Sequence, residues 1–142
     1  MQVRKASYMT PGFQATTEGI TVTVQVFYLA DKSEPEDGHY VWAYHVSIAN
    51  HSPQTVQLMA RSWTITNAHG RVQYVHGEGV VGETPRLEPG EVFEYTSGTP
   101  LATSSGFMTG KYHMLAVTDG TEFDIDIPTF SLDSPHQNTL RH

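Results

Sequence analysis

The glycine-rich stretch Gly77–Gly82 is the part of the sequence whose spacing most directly suggests binding chemistry. It reads GEGVVG, which matches the pattern GxGxxG. In dinucleotide-binding folds such glycines let the backbone approach a pyrophosphate at a helix N-terminus. Here Pro85 follows closely and disfavours a helix, Glu78 and Glu83 would repel phosphate, and no βαβ pattern surrounds the string. We therefore expect a tight glycine loop between strands in preference to a dinucleotide site.

A looser anion site is the alternative that the same stretch leaves open. It would use the backbone N–H groups of Gly77, Gly79 and Gly82, together with the nearby side chains of Arg71 and His76. Such a site would bind pyrophosphate or a phosphorylated nucleotide. The chain would then be a small-ligand module that takes a phosphate-containing ligand.

The last hairpin of the sequence permits a prediction of strand register. Asp119-Gly120 is a strong signal for a two-residue turn. A turn at this dipeptide places Tyr112 opposite Ile127 and His113 opposite Asp126. The hairpin then has one apolar and one polar face, as a half-buried hairpin should.

A candidate metal site follows from this register. His113 and Asp126 would face each other on the polar side of the hairpin, with Asp124 two residues along. One imidazole and two carboxylates could hold a divalent ion loosely. An exposed ion pair without metal is the favoured interpretation, because the ligand set is incomplete. The acidic loop 31–39 is a second oxygen-rich candidate, but its spacing misses the EF-hand pattern.

Catalytic patterns are missing from the sequence. The triplet at 104–106 does not match the GxSxG nucleophile elbow, no HExxH string occurs, and no pair of acids shows the spacing of an acid–base couple. There is no cysteine, which excludes disulfides, thiol nucleophiles and thiolate metal sites. We predict that the chain is not an enzyme and needs no cofactor.

The elements that must position these residues are short strands. Apolar residues alternate with polar ones in runs near 20–26, 42–48, 56–66, 72–75, 92–97, 111–117 and 121–127. The odd spacing between Leu58 and Trp63 predicts a bulge or a change of sheet. No helical stripe is long enough to be credible. The pattern predicts an all-β fold, an immunoglobulin or fibronectin type III-like antiparallel β-sandwich of seven to eight strands.

Composition sets the remaining bounds. The chain has 142 residues and a net charge of −7, which disfavours nucleic acid and membrane surfaces as partners. It lacks a signal-peptide run or a membrane span, so we expect a soluble, cytoplasmic protein. We predict an N-terminal segment 1–18, a sandwich domain 19–132 and a flexible tail 133–142. Its oligomeric state is left open.

The segments at 50–101, beginning NHSPQTVQLMARSWTITNAHGRVQYVHGEGVVGETPRLEPG, and at 106–114, GFMTGKYHM, resemble the bacterial ApaG family. Ser62 departs from the histidine often found before the tryptophan of that family. The resemblance implies a fibronectin-like sandwich and an association with cobalt tolerance and magnesium efflux, with no established enzymatic activity. Similar eukaryotic domains occur in an F-box ubiquitin-ligase subunit and a DNA-polymerase-interacting protein. We therefore expect a non-enzymatic binding or regulatory domain that acts through a protein partner of unknown identity.

Overall fold

The structure, a computed structural model, describes residues 12–136. This part of the chain forms nine strands and two single 3₁₀ turns, Ala30–Lys32 and Pro35–Asp37. The strands are β1 Phe13–Thr17, β2 Ile20–Tyr28, β3 Tyr40–Asn50, β4 Val56–Asn67, β5 Val72–Glu78, β6 Arg86–Leu87, β7 Val92–Leu101, β8 Gly106–Ala116 and β9 Glu122–Leu132.

The strands form two antiparallel sheets packed face to face. One sheet has the order β1-β2-β3-β7 and the other β5-β4-β8-β9, with the short β6 paired to the start of β4. The predicted all-β sandwich is confirmed. The structure has one strand more than the upper limit of the prediction, because β1 and the two-residue β6 carry no alternating pattern of their own.

The core lies between the two sheets and follows the period-two pattern. Along β3 the side chains from Trp42 to Ile48 alternate between buried and half-buried. Tyr44 crosses the interface to meet Trp63 of β4, with ring centroids 5.4 Å apart in an edge-to-face arrangement. Phe130 of β9 closes the cluster, its ring 5.9 Å from that of Trp63. Aromatic area therefore holds the two sheets together.

Strand β1 lies in the segment that the sequence pattern left without structure. It pairs with β2 from Phe13↔Val24 to Thr17↔Ile20 and packs beside β9 of the other sheet. The Asp126 N–H donates to Thr17 Oγ1 at 3.1 Å. This tertiary contact closes the β1–β9 side of the sandwich. It could not be predicted from the sequence of β1, which is short and mostly polar.

The bulge predicted in β4 is confirmed. The register between β4 and β8 shifts between Leu58 and Ala60, so that Leu58 and Trp63 both point inward despite their odd spacing. The extra residue also turns Arg61 toward the interior and Ser62 toward solvent.

The register predicted for the last hairpin is wrong by two residues. Tyr112 pairs with Ile125 and His113 with Asp124. The turn is longer than two residues, since the Gly120 N–H donates to the Ala116 carbonyl at 2.9 Å. A type I′ turn requires positive φ at both central residues, whereas only Gly120 of the dipeptide has it. A shift of two leaves the same side chains facing the core, so both faces are as predicted.

The beginning of the predicted tail is fastened to the sandwich. The buried Trp42 donates its Nε1–H to the Asp133 carbonyl at 2.8 Å, and the buried Ser134 donates to the Ser104 carbonyl at 2.7 Å. The ring of His136 lies 5.9 Å from that of Tyr28. Residues 137–142, like 1–11, lie outside the described part of the chain.

Within residues 12–136, no helix has the length and apolar character that a membrane crossing requires.

Candidate functional site

The Gly77–Gly82 loop is a tight turn at the end of β5. Val80 and Glu83 exchange two backbone hydrogen bonds of 2.8 Å, and the two residues between them, Val81 and Gly82, have φ values of 41° and 83°. Positive φ at both central positions is the geometry of a type I′ turn. No helix follows, and the chain continues into β6.

Each glycine of the motif has a separate packing or backbone reason to be glycine. Gly79 has a φ of 60°, and a Cβ there would collide with the Glu83 carbonyl. A Cβ on Gly77 would stand 2.9 Å from the Arg61 guanidinium. Gly82 has open space around it, but its φ of 83° disfavours other residues. The motif is thus explained by close chain packing without any ligand.

The residues predicted for an anion site are not brought together. Arg71 lies at the opposite end of β5 from Gly77, and six residues of extended strand separate them by roughly 20 Å. His76 points to the outer face, where its Nδ1 hydrogen-bonds to Ser62 Oγ at 2.9 Å. The Gly79 N–H already donates to the Met59 carbonyl at 2.9 Å. Of the groups predicted for the anion site, only the backbone N–H groups within the turn itself stay near one another.

Arg61 is the cation that does lie at this loop, and the sequence analysis missed it. Its Nη1 donates to the Glu78 carbonyl at 3.0 Å and to the Gly79 carbonyl at 2.8 Å. No Asp or Glu among residues 12–136 forms an ion pair with it. The bulge predicted before Arg61 could have identified it, because one extra residue in β4 reverses the alternation and turns the side chain at position 61 inward.

Beside Arg61 lies a group of buried tyrosines. The hydroxyls of Tyr95 and Tyr112 hydrogen-bond to each other across the sandwich. Burial raises the pKa of both phenols well above the usual value, and it raises the pKa of Tyr44 as well. The three hydroxyls therefore stay neutral at physiological pH and serve as polar contacts inside the core.

The three predicted metal ligands do not converge. His113 Nδ1 contacts Asp124 at 2.9 Å and its Nε2 contacts Glu122 at 2.9 Å, whereas Asp126 pairs with Lys111 at 2.6 Å. Both ring nitrogens are thus engaged by carboxylates, which raise the pKa of His113. In the described part of the chain, no three His, Asp or Glu side chains are arranged to hold a metal ion.

Strand β5 has a free edge among residues 12–136. The Asn67 N–H donates to the Arg71 carbonyl at 3.0 Å, so this pair belongs to the hydrogen-bonded set of the β4–β5 ladder. Hydrogen-bonded pairs alternate with pairs whose backbone groups point away. Val72, Tyr74 and His76 therefore direct their N–H and C=O groups outward, where no strand among residues 12–136 pairs with them.

A cavity of about 390 Å³ opens at the start of this edge. It lies between the first residues of β5 and the last residues of β7, on the side of the sandwich opposite β1. Ile65 and Leu101 form part of its apolar wall, and Arg71 and His39 lie at its polar side.

Exposed apolar side chains continue from this edge onto the outer face of the β5-containing sheet. Tyr74 is 77% exposed, and Val72 and Phe107 are each 43% exposed. Thr66 lies between Val72 and Phe107 in the register. The fold and this region together define a two-sheet β-sandwich domain in which, among residues 12–136, the β5 edge is open and partly apolar.

Comparisons with known proteins place this sandwich in a family. Residues 30–116 match the family model of the ApaG domain. Protein ApaG of Parvibaculum lavamentivorans is 55% identical over 130 residues, which are 92% of this chain and 99% of that protein. Protein ApaG of Paramagnetospirillum magneticum is 59% identical over 125 residues, 88% of this chain and 95% of the relative. The chain therefore belongs to the ApaG domain family.

A solved structure agrees with this assignment. The crystal structure described as the ApaA protein from Bordetella pertussis matches with a TM-score of 0.80 and 41% sequence identity, over 92% of this chain and all of that one. None of these names specifies a catalytic activity.

Proposed function

We propose that the chain is a non-enzymatic protein-interaction module that binds an extended segment of a partner along β5. The observation that supports this proposal is the row of outward backbone groups at Val72, Tyr74 and His76. An extended peptide can add a strand to such an edge, with main-chain hydrogen bonds supplying affinity and side-chain pockets supplying specificity.

Strand β5 lacks the features that protect edge strands from pairing. Its sequence, VQYVHGE, contains neither proline nor lysine. The free edge of the other sheet, β7, is different. There the outward positions include Gly98 and Pro100, and a proline has no N–H to offer an incoming strand. Of the two edges on this side of the sandwich, β5 is the better acceptor.

Side chains at this edge suit a protein partner. Tyr74 projects almost fully into solvent next to Val72. Aromatic residues are enriched among the positions that dominate protein–protein binding energy, because they bury a large area at low entropic cost. On this proposal, any contribution to cobalt tolerance or magnesium efflux is exerted in the cytoplasm through the bound partner.

A pair of substitutions at His76 tests strand addition. His76→Pro removes an outward N–H while leaving the β4–β5 hydrogen bonds intact, and His76→Ala removes the same imidazole but keeps the N–H. Peptides selected from a displayed library of random dodecapeptides serve as probes. We expect His76→Pro to weaken their binding about tenfold and His76→Ala to have little effect. Thermal melting checks that both variants fold.

Two results would contradict the proposal. Equal binding by both variants would place the peptide elsewhere, and failure to select any peptide would remove the support for an interaction edge. The small-ligand alternative is tested in parallel by titrating the ¹⁵N-labelled chain with pyrophosphate. Saturable shifts confined to Gly77–Gly82 would favour that alternative.

A further inference from the structure

The cavity at the start of β5 combines an apolar wall with unpaired hydrogen-bond donors. Ile65 and Leu101 supply apolar surface, and the cavity of about 390 Å³ is large enough for one bulky side chain. Arg71 and Gln73, whose side chains carry a guanidinium and an amide, line the same cavity. Neither side chain has a hydrogen bond or ion pair within residues 12–136.

Asn67 adds to this donor character. Its Oδ1 accepts the N–H groups of His69 at 2.9 Å and Arg71 at 3.0 Å. The acceptor of the amide is therefore occupied, and Asn67, which also lines the cavity, keeps its Nδ2 donors free of hydrogen bonds within residues 12–136. The nearby 3₁₀ turn Pro35–Asp37 is acidic, yet in the described part of the chain none of its carboxylates forms an ion pair with Arg71.

The cavity is also preformed. Asn67 fixes the β4–β5 turn through the two bonds described above, and the Ala68 N–H donates to Thr103 Oγ1 at 3.0 Å. Thr103 is buried in the loop after β7 and also donates to the Ser105 carbonyl at 2.8 Å. Both walls are thus tied together, so a ligand would not have to order them first.

We propose that this cavity binds the carboxyl-terminal residue of the partner chain. This inference rests on the proposed strand addition to β5 and specifies which part of the partner binds there. A terminal residue carries an apolar side chain and a carboxylate on one Cα, so a single residue can fill the cavity and meet Arg71. An acidic side chain could not do both, because neighbouring residues of a strand point to opposite faces. Charge-assisted bonds from a guanidinium to a carboxylate are among the strong hydrogen bonds of proteins.

The position of the cavity also sets the direction of the partner strand. It lies beside Val72, where β5 begins. A partner that ends there must run from the Glu78 end of β5 toward its Val72 end, antiparallel to β5. The last residue then enters the cavity while the preceding residues pass His76 and Tyr74.

The test compares a free carboxylate with an amide. A library of random octapeptides with free carboxyl termini is screened on the full-length chain, and the best binder is synthesised as acid and as terminal amide. Both are titrated against the wild-type chain, Arg71→Gln and, as a matched control, Arg86→Gln at the other end of β4. We expect the acid to bind about tenfold more tightly to the wild type and the control, and Arg71→Gln to abolish this preference.

A second variant, Ala102→Trp, fills the cavity from its exposed rim and should weaken the acid even where Arg71 is intact. Thermal melting confirms that each variant folds. Equal binding of acid and amide to the wild type would overturn the inference. If these peptides still bind His76→Pro more weakly than His76→Ala, the proposed strand addition stands while the inference about the terminal residue fails. Enrichment of no peptide would overturn both.

Discussion

His113 shows how two contacts decide the chemistry of a single residue. One ring nitrogen meets Asp124 and the other meets Glu122, each at 2.9 Å. A neutral imidazole can donate from one nitrogen only, whereas an imidazolium donates from both. The two carboxylates therefore raise the pKa of His113, first through the bond to Asp124 and then through that to Glu122. The side chain suits an ion pair better than a metal ligand, which must lose its proton.

The raised pKa of His113 predicts a pH-dependent contribution to stability. Because the folded-state pKa lies above the unfolded value, the contribution is complete below pH 6.5 and is lost as the pH rises through the folded-state pKa. The side chain is 39% exposed, so the effect is small. We expect His113→Gln to lower the free energy of unfolding more at pH 5.5 than at pH 8.5, measured by urea denaturation.

An NMR titration of the imidazole provides the independent check for His113. A pKa at or below 6.5 in the wild type would contradict the prediction.

At the scale of the element, alanine substitutions in the turn after β5 can show whether its glycines are needed for packing. Gly79 faces the Glu83 carbonyl, Gly77 faces a flexible guanidinium, and Gly82 faces open space. We expect alanine at Gly79 to destabilise most, alanine at Gly77 to cost less because Arg61 can move, and alanine at Gly82 to cost about 1 kcal/mol for its positive φ. Chemical denaturation of the three variants measures this order.

The reverse order would refute this account of the turn. Gly82→Ala, whose added Cβ meets no neighbouring atom, provides the matched variant for ligand studies.

At the scale of the whole molecule, the segment after β9 closes one end of the sandwich. Trp42 is fully buried, and its Nε1–H depends on the Asp133 carbonyl. A chain that ends after Leu132 leaves this buried donor without its partner, which costs about 1–3 kcal/mol. A chain that ends after His136 keeps the bond and is the control. Of the two variants, we expect only the chain that ends after Leu132 to have a lowered melting temperature. Equal melting temperatures of the two variants would contradict the role of the segment.

Much of the fold could be predicted from the sequence because its information is local. The alternation around Trp42 and Tyr44 assigns a buried face, and the parity break between Leu58 and Trp63 assigns the bulge. Strand β1 could not be found in this way. Phe13 and the four residues after it gain their structure from pairing with β2 and from packing beside β9, a strand that lies more than 100 residues further along the chain.

The candidate sites were less predictable, since they depend on register and on strand order. A two-residue error in the last hairpin preserved every face but exchanged the partner of His113 from Asp126 to Asp124. Proximity in sequence also misled, because Arg71 and Gly77 are close in number yet lie at opposite ends of β5. An extended strand separates what a turn would bring together.

The sequence by itself determined the sandwich, its buried faces, its bulge and its membership of a family, since each rests on periodicity or on strings of adjacent residues. Only the tertiary structure decided which edge stays open, where the cavity lies and which charges meet. Strand β5 is an edge because, among residues 12–136, it pairs with β4 alone, whereas β4 pairs with β5 on one side and with β8 on the other. That choice is made by contacts between residues far apart in the chain, and no local pattern encodes it.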